Sequence, residues 1–468
     1  MARIGQVIER VVIDAMAERG RCVARVDGRV LFVQSTAPGD VVDLKVVATR
    51  SGYAEAVPLR WHQASQARTS PFCSHFETCG GCQWQHVRYS VQAAHKAQHI
   101  KDVLTRIGQI PADRVAPIIE ATHTERYRNK LEFTFSNKRW LSSEEVQDTS
   151  RVHCRDALGF HKEKCFDKIV DIDHCHLQAD PSNALRNALK AFAKKNGLSF
   201  YDIRRQEGFM RSLIVRTTRA GQSMAVIQFG ANQTAHIQKT LDYIREAFPQ
   251  LTSLQYVVNL KKNSTFYDLP VHLHSGAAFL IEYIDGMAFR IGAKSFFQTN
   301  TFQVETLCQK VSQLADLQAE ELLYDLYTGV GTLAITLAKQ VRHVVGIDVV
   351  EEAITDARHN AQSNGLHNAS FLAGKTESLL THPDVLKYGQ PDVVVVDPPR
   401  AGLHPEVIPQ LLKRSPNRIV YVSCNPATQA RDLALLSTRY ELVVAQPIDM
   451  FPHTGHVENI ALLHLRCV

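Results

Sequence analysis

Two short stretches near the C-terminus carry residue types that do covalent chemistry. Cys424 stands in Ser423-Cys424-Asn425-Pro426, directly after the apolar run Arg418-Ile-Val-Tyr-Val422, and Glu458 closes the stretch Phe451-Pro-His-Thr-Gly-His-Val-Glu458. A thiolate is the most available strong nucleophile among side chains, and a carboxylate can remove a proton from carbon once an adduct has formed. A lone cysteine after a strand is ordinarily a buried structural thiol. Cofactor-type motifs elsewhere in the chain reverse that expectation.

The first such motif is Asp325-Leu-Tyr-Thr-Gly329-Val-Gly331-Thr-Leu-Ala334, which leaves an apolar run, turns on two glycines and enters the helix-like residues 333–340. Glycines there let the backbone pass close to a bound ligand. His343-Val-Val-Gly-Ile-Asp348 then sets a carboxylate at the end of a second strand, where it can accept both hydroxyls of a ribose. Dinucleotide and S-adenosylmethionine sites share this pattern. Ala334 replaces the third glycine of the dinucleotide fingerprint, and Asp325 precedes the first in the D-x-x-x-G-x-G order of methyltransferases, so a methyl-donor site is expected.

Asp397-Pro-Pro-Arg400 follows Val393–Val396, again at a strand's carboxyl end. Ligands of open α/β sheets gather beside those ends, so Gly329, Asp348, Asp397 and Cys424 should converge on one crevice. An aromatic residue after Asp-Pro-Pro would suggest methylation of an exocyclic amine; Arg400 stands there instead. The pairing of Cys424 with Glu458 suits a different target. C5 of a pyrimidine is a poor nucleophile until a thiolate adds to C6, and after methyl transfer the C5 proton must leave to a base.

The elements that must position these residues follow from hydrophobic patterning. Apolar strands at Leu322–Leu326, 344–347, Val393–Val396 and 419–422, separated by helix-like stretches, predict a parallel, doubly wound α/β sheet. Tyr440–Ile448 and residues 457–465 read as a closing antiparallel hairpin that returns Glu458 to the sheet. Residues 1–60 read as short strands, with Asp27-Gly28 as a hairpin turn, and predict a small closed barrel of the oligonucleotide-binding kind. Its Arg21, Arg25, Arg29, Lys45 and Arg50 suit RNA. Three domains are expected: 1–60, a cysteine-bearing central α/β domain over 61–290 in which 92–108 is amphipathic, and 291–468.

A chain of 468 residues with 45% hydrophobic and 21% charged residues is a globular protein of several domains, with no run long enough to span a membrane. The opening residues lack the apolar core of a secretory signal, which points to the cytoplasm. A net charge of +6 fits a polyanionic partner. Ten cysteines without an export signal point to metal or nucleophile roles rather than disulfides.

Cys73-x5-Cys79-Gly-Gly-Cys82 lets three thiolates face one centre, with Cys154, Cys165 and Cys175 as candidates for a fourth. On ligand chemistry alone zinc or an iron–sulfur cluster would suit. The Cys-x3-Cys-x2-Cys spacing of radical enzymes is absent. Cys22, Cys308 and Cys467 read as ordinary thiols. Tyr127-Arg-Asn-Lys130 combines cations and an aromatic in a way that suits phosphates and an unstacked base. His453 and His456 could tune the base, touch RNA or stabilise the turn.

Taken together, Ser-Cys-Asn-Pro-Ala-Thr, Phe-Pro-His-Thr-Gly-His-Val-Glu, Ser295-Phe-Phe-Gln-Thr-Asn300 and Asp-Leu-Tyr-Thr-Gly-Val-Gly resemble the RNA uracil-5-methyltransferase family. The resemblance covers nearly the whole chain: residues 1–60 resemble its TRAM domain and 73–89 its cysteine-rich segment. It implies Cys424 as nucleophile, Glu458 as general base, and S-adenosylmethionine bound by Gln298, Tyr327, Thr332, Asp348 and a residue near Lys375, with Asp397 between donor and target base. Asp348 is often Glu in the family, and Lys375 stands where Asp or Asn is usual. The family's aspartate-isoleucine-x-x-cysteine pattern matches Asp171-Ile-Asp-His-Cys175 and selects Cys73, Cys79, Cys82 and Cys175 as ligands of a [4Fe-4S] cluster. The TRAM domain and cysteines together resemble the 23S ribosomal RNA members. The expectation is thus a monomeric enzyme making 5-methyluridine in a loop or single-stranded region of 23S rRNA, since C6 is unreachable within a stack. The alternatives are a transfer-RNA T-loop uridine, or a non-catalytic iron–sulfur RNA-binding factor.

Overall fold

The computed structural model describes residues 3–150 and 152–466, so Cys467 lies outside the described residues. The N-terminal six-stranded sheet runs, in spatial order, Val7–Val12, Val41–Thr49, Tyr53–Gln63, Arg29–Gln34, Arg21–Val26 and Ala15–Met16. Asp27 and Gly28 both take positive φ, 48° and 73°, which the tight hairpin between Val26 and Arg29 requires. Alternate residues of each strand point inward, so Ala24, Leu31, Val33, Leu44 and Val46 form a dry core. Trp84 and Val87, from the cysteine-bearing segment, complete it.

The middle of the chain builds a second seven-stranded sheet, from His272–Gly276 at one edge to Ile169–Asp171 at the other. Of the six pairings only Ser223–Phe229 with Ser253–Val258 is parallel. Helices Ser182–Lys195 and Thr234–Ala247 cover it through Leu185, Leu189, Leu241 and Ile244.

The C-terminal sheet carries the motifs. Its strands are β1 (Leu322–Leu326), β2 (His343–Asp348), β3 (Ala369–Ala373), β4 (Val393–Val396), β5 (Arg418–Ser423), β6 (Tyr440–Ile448) and β7 (Glu458–Leu465), in the order β3-β2-β1-β4-β5-β7-β6. The first five are parallel; β1, β2, β4 and β5 lie inside the sheet and are buried on both faces, which is why they read as apolar runs, whereas the edge strand β3 buries only Phe371 and was not legible. β6 and β7 are antiparallel, so the sheet is mixed rather than wholly parallel.

Helix α1, Tyr89–Arg106, packs its Ile100 and Leu104 against this sheet's core although it lies more than two hundred residues earlier. Each is 0% exposed, and burial of such a side chain stabilises by roughly 1.5–3 kcal/mol. The chain after α1 then runs alongside β6, with Val115 bridged to Ala445 and Ile119 to Ile448. Among the described residues no helix is long and apolar enough to cross a membrane.

Candidate active site

The donor turn is stapled by its own aspartate. Asp325, at 1% exposure, accepts from Thr328 Oγ1 at 2.5 Å and from the Ala334 N–H at 3.0 Å, holding β1 to the Thr332–Leu337 helix. Burial pushes its carboxyl up to about 7. Tyr327, Gly329 and Gly331 all take positive φ, so the chain doubles back sharply. The space above Gly329 is open for at least 4 Å, whereas at Gly331 a Cβ would stand 3.0 Å from Ile335. Asp348, at the end of β2, accepts from the N–H of Gly329 (2.9 Å) and of Val350 (2.9 Å), one on each carboxylate oxygen. Thr332 begins the helix, Tyr327 is half-buried with its hydroxyl 3.5 Å from the His404 N–H, and Lys375 is exposed next to Gly374, whose N–H binds the Asp348 carbonyl.

β1 and β4 end level, Leu326 beside Val396, and β5 runs two residues past Tyr421, which lies beside Val396. Asp397 and Cys424 therefore project from the same rim. The Gln298 amide hydrogen-bonds the Asp397 carboxylate, and Gln298 is itself anchored through its carbonyl to Asn129 Nδ2 at 2.8 Å. Asn425 caps the Pro426–Leu436 helix and donates to the Arg400 carbonyl at 2.9 Å, which locks the Cys424 and Arg400 loops together.

Glu458 opens β7 opposite the end of β5. It is 2% exposed, and its Oε2 has no hydrogen-bond partner among the described residues. Burial raises both Asp397 and Glu458; Asp397 raises Glu458 further while Arg400 pulls it down, and the Gln298 hydrogen bond opposes the rise at Asp397. The Cys424 thiol is pushed up to about 11, first by burial and then by Glu458 and Asp397, with Arg400 opposing. Arg400 Nη2 lies 3.2 Å from His456 Nδ1, so this guanidinium is the cation of the cluster. Sequence reading passed over that role; an arginine between two proline-bounded carboxylate motifs was the signal.

His453 is a turn residue: it takes φ +64°, burial pulls its imidazole down to about 4, and its backbone is held by Gln92. Tyr127 corrects the expectation of a base-stacking aromatic. It is 1% exposed and its hydroxyl donates to the Pro452 carbonyl at 3.1 Å, beneath the turn that leads to Glu458. In the N-terminal sheet Arg21 lies over the Phe32 ring at 4.5 Å and Arg29 donates to the carbonyls of Arg50 and Tyr53, whereas Arg25 is mostly exposed and faces Asp14 at 3.4 Å.

Cys73, Cys79, Cys82 and Cys175 line one cavity of about 220 Å³, while Cys154 and Cys165 stand outside it. Burial pushes Cys79 up to about 11 and Cys82 up to about 12, and it raises Cys175; the neighbouring thiols add to each shift. Thiols that oppose the ionisation of their neighbours Cys79, Cys82 and Cys175 fit a cationic centre, which would offset that repulsion. Among the described residues no three His, Cys, Asp or Glu side chains are grouped to hold a metal ion.

The family model described as tRNA (Uracil-5-)-methyltransferase matches residues 284–466, and that of the TRAM domain matches residues 2–59. The chain is 45% identical to an RNA methyltransferase of Bacteroides thetaiotaomicron over 96% of its length and 100% of the relative's. It is 46% identical to one of Porphyromonas gingivalis, covering 96% of this chain and 98% of that one. Among solved structures it is similar to the tRNA (uracil-54, C5)-methyltransferase of Pyrococcus abyssi in complex with S-adenosyl-L-homocysteine. That match has 29% identity and a TM-score of 0.73, and covers 97% of this chain and 100% of that one.

Proposed function

This chain belongs to the RNA uracil-5-methyltransferase family, with a TRAM domain and an S-adenosylmethionine-dependent methyltransferase fold, and from that premise we propose that it methylates C5 of a specific uridine in 23S rRNA. The observation that carries the mechanism is the juxtaposition of Cys424 with Glu458, whose Oε2 is buried and unpartnered. S-adenosylmethionine, when bound, supplies a methyl group on a sulfonium. Gln298, Tyr327, Thr332 and Asp348 would hold it beside Asp397, with the neighbourhood of Lys375 closing the site.

Cys424 Sγ forms a bond to C6 of a flipped-out uracil, and the electron pair displaced from the C5=C6 bond makes C5 nucleophilic. C5 takes the methyl group, leaving S-adenosylhomocysteine with the S–CH3 electron pair on its sulfur. Glu458 then removes the C5 proton; the C5–H electron pair restores the double bond and expels the Cys424 thiolate. Arg400 favours both anions of this cycle. Cys73, Cys79, Cys82 and Cys175 would hold a [4Fe-4S] cluster as a staple, because no step of the reaction needs an electron.

The TRAM domain and the four cysteines favour a ribosomal target. The likeness to a transfer-RNA enzyme over 97% of the chain favours a second reading, a T-loop uridine. Purified enzyme given 23S rRNA and tRNA separately, followed by nucleoside mass spectrometry, decides between them. 5-Methyluridine formed in tRNA alone would sink the ribosomal target, and none in either RNA would leave a non-catalytic RNA-binding factor.

A further inference from the structure

Glu458 enters β7 from the turn that begins at Asp449, so its carboxylate is aimed only as well as that turn is held. Helix α1 holds it from below. Gln92, Lys96, Ile100 and Leu104 recur every fourth residue on the buried stripe of α1, so two polar residues stand where apolar ones belong. Lys96 is 1% exposed and its Nζ donates to Asp449 Oδ1 at 2.6 Å and to the Phe451 carbonyl at 2.9 Å. Asp449 is fully buried; its Oδ1 also accepts from the Phe451 N–H and its Oδ2 from the Tyr89 hydroxyl at 3.0 Å. One turn before Lys96, Gln92 Oε1 accepts from the His453 N–H at 2.9 Å while its Nε2 donates to the Trp84 and Val87 carbonyls.

Burial pulls the Lys96 ammonium down and Asp449 opposes it. Buried ion pairs of this kind add little net stability over a well-packed apolar pair. What they do specify is geometry: one cation with two fixed acceptors allows the turn a single conformation.

We propose that Lys96 is a positioning residue for the second half of the reaction: through Asp449 and Phe451 it aims Glu458 at the C5 proton. This rests on the reading of Glu458 as the base. After methyl transfer the adduct carries both a hydrogen and a methyl group on C5, with C6 bonded to Cys424 Sγ. Without a well-aimed base the C5–H bond survives and the C6–S bond cannot break, so methylated RNA stays attached to the protein.

The test compares wild type, Glu458→Gln, the double variant Lys96→Met/Asp449→Leu, and Asp449→Asn on substrate RNA with S-adenosylmethionine carrying a labelled methyl group. The double variant removes the pair without stranding a charge, and the near-isosteric Asp449→Asn keeps the test readable should the double variant not fold. Both are expected to bind S-adenosylhomocysteine as wild type does, to lose turnover about 10- to 100-fold with little change in KM for RNA, and to accumulate a denaturation-resistant protein–RNA complex carrying the labelled methyl group. Wild-type turnover in the folded variants, or slowed turnover with no labelled complex, overturns the proposal while Glu458→Gln still traps the adduct. A Glu458→Gln protein that turns over freely overturns the base assignment itself, and the role of Lys96 with it.

Discussion

Cys424 and Glu458 face each other across β5 and β7, one register step beyond the Ser423–Asn459 pair. Cys424 feels the Glu458 carboxylate, which raises its thiol after burial has done so. Thirty-three residues separate them in the chain. A hairpin brings them together.

RNA bearing 5-fluorouridine at the target position separates their roles. C5 then carries fluorine in place of the proton, so wild-type enzyme and Glu458→Gln should both form a stable adduct, and Cys424→Ala none. On natural RNA, Glu458→Gln should lose turnover by about 10²–10⁴-fold. Denaturing gels with labelled RNA read both results; an adduct with Cys424→Ala would remove it as the nucleophile.

Arg400 is the cation that opposes the two carboxylates acting on the Cys424 thiol. Arg400→Met should therefore shift the pH profile of Cys424 alkylation upward and slow alkylation near pH 8 by roughly two- to tenfold, whereas Glu458→Gln should shift it downward. Iodoacetamide rates against pH, in a background where the other reactive thiols are protected, measure the shift. An unmoved profile in Arg400→Met would remove the arginine from this role.

The raised carboxyls of Asp397 and Glu458 have a consequence for stability. Between the unfolded and folded pKa values the folded protein holds more protons than the unfolded chain, so stability is full below the unfolded value and falls as pH rises through the folded one. Glu458→Gln should leave thermal stability unchanged near pH 4.5 and raise it progressively above, by on the order of 1–3 kcal/mol at pH 8. Melting curves across that range check the sign. A gain that shrank as pH rose would contradict it.

If the four-cysteine cavity holds iron, anaerobically purified protein should absorb near ~400 nm. Cys175→Ser should lose that band and Cys154→Ser keep it, because Cys154 stands outside the cavity. A colourless, zinc-loaded and active protein would replace iron with zinc.

Tyr127→Phe removes one buried hydrogen bond to Pro452 and nothing that faces solvent. Stability should fall by about 0.5–1.5 kcal/mol with RNA affinity unchanged in filter binding. Weakened RNA binding at unchanged stability would restore a stacking role.

The strands at Leu322–Leu326 and Val393–Val396 were legible because strands buried on both faces are apolar throughout, and the Asp27-Gly28 hairpin because its turn demands positive φ. The donor turn and the two carboxylate motifs were legible because short-range backbone geometry dictates their residue types. Tyr127 was misread for the opposite reason. A tyrosine between cations has the same local pattern whether its ring meets RNA or the underside of a turn.

By itself, then, the sequence determined the chemistry available: a thiol, a base, a donor turn and three clustered cysteines, each written in a few contiguous residues, with the fourth cysteine selected only by family resemblance. Tertiary structure alone decided what surrounds them. The opposition of Cys424 to Glu458, the Arg400 guanidinium against His456, and the docking of α1 so that Lys96 meets Asp449 all join residues far apart in the chain. Local propensity carries no record of such contacts, because their energies come from burial and charge proximity that exist only once the chain has packed.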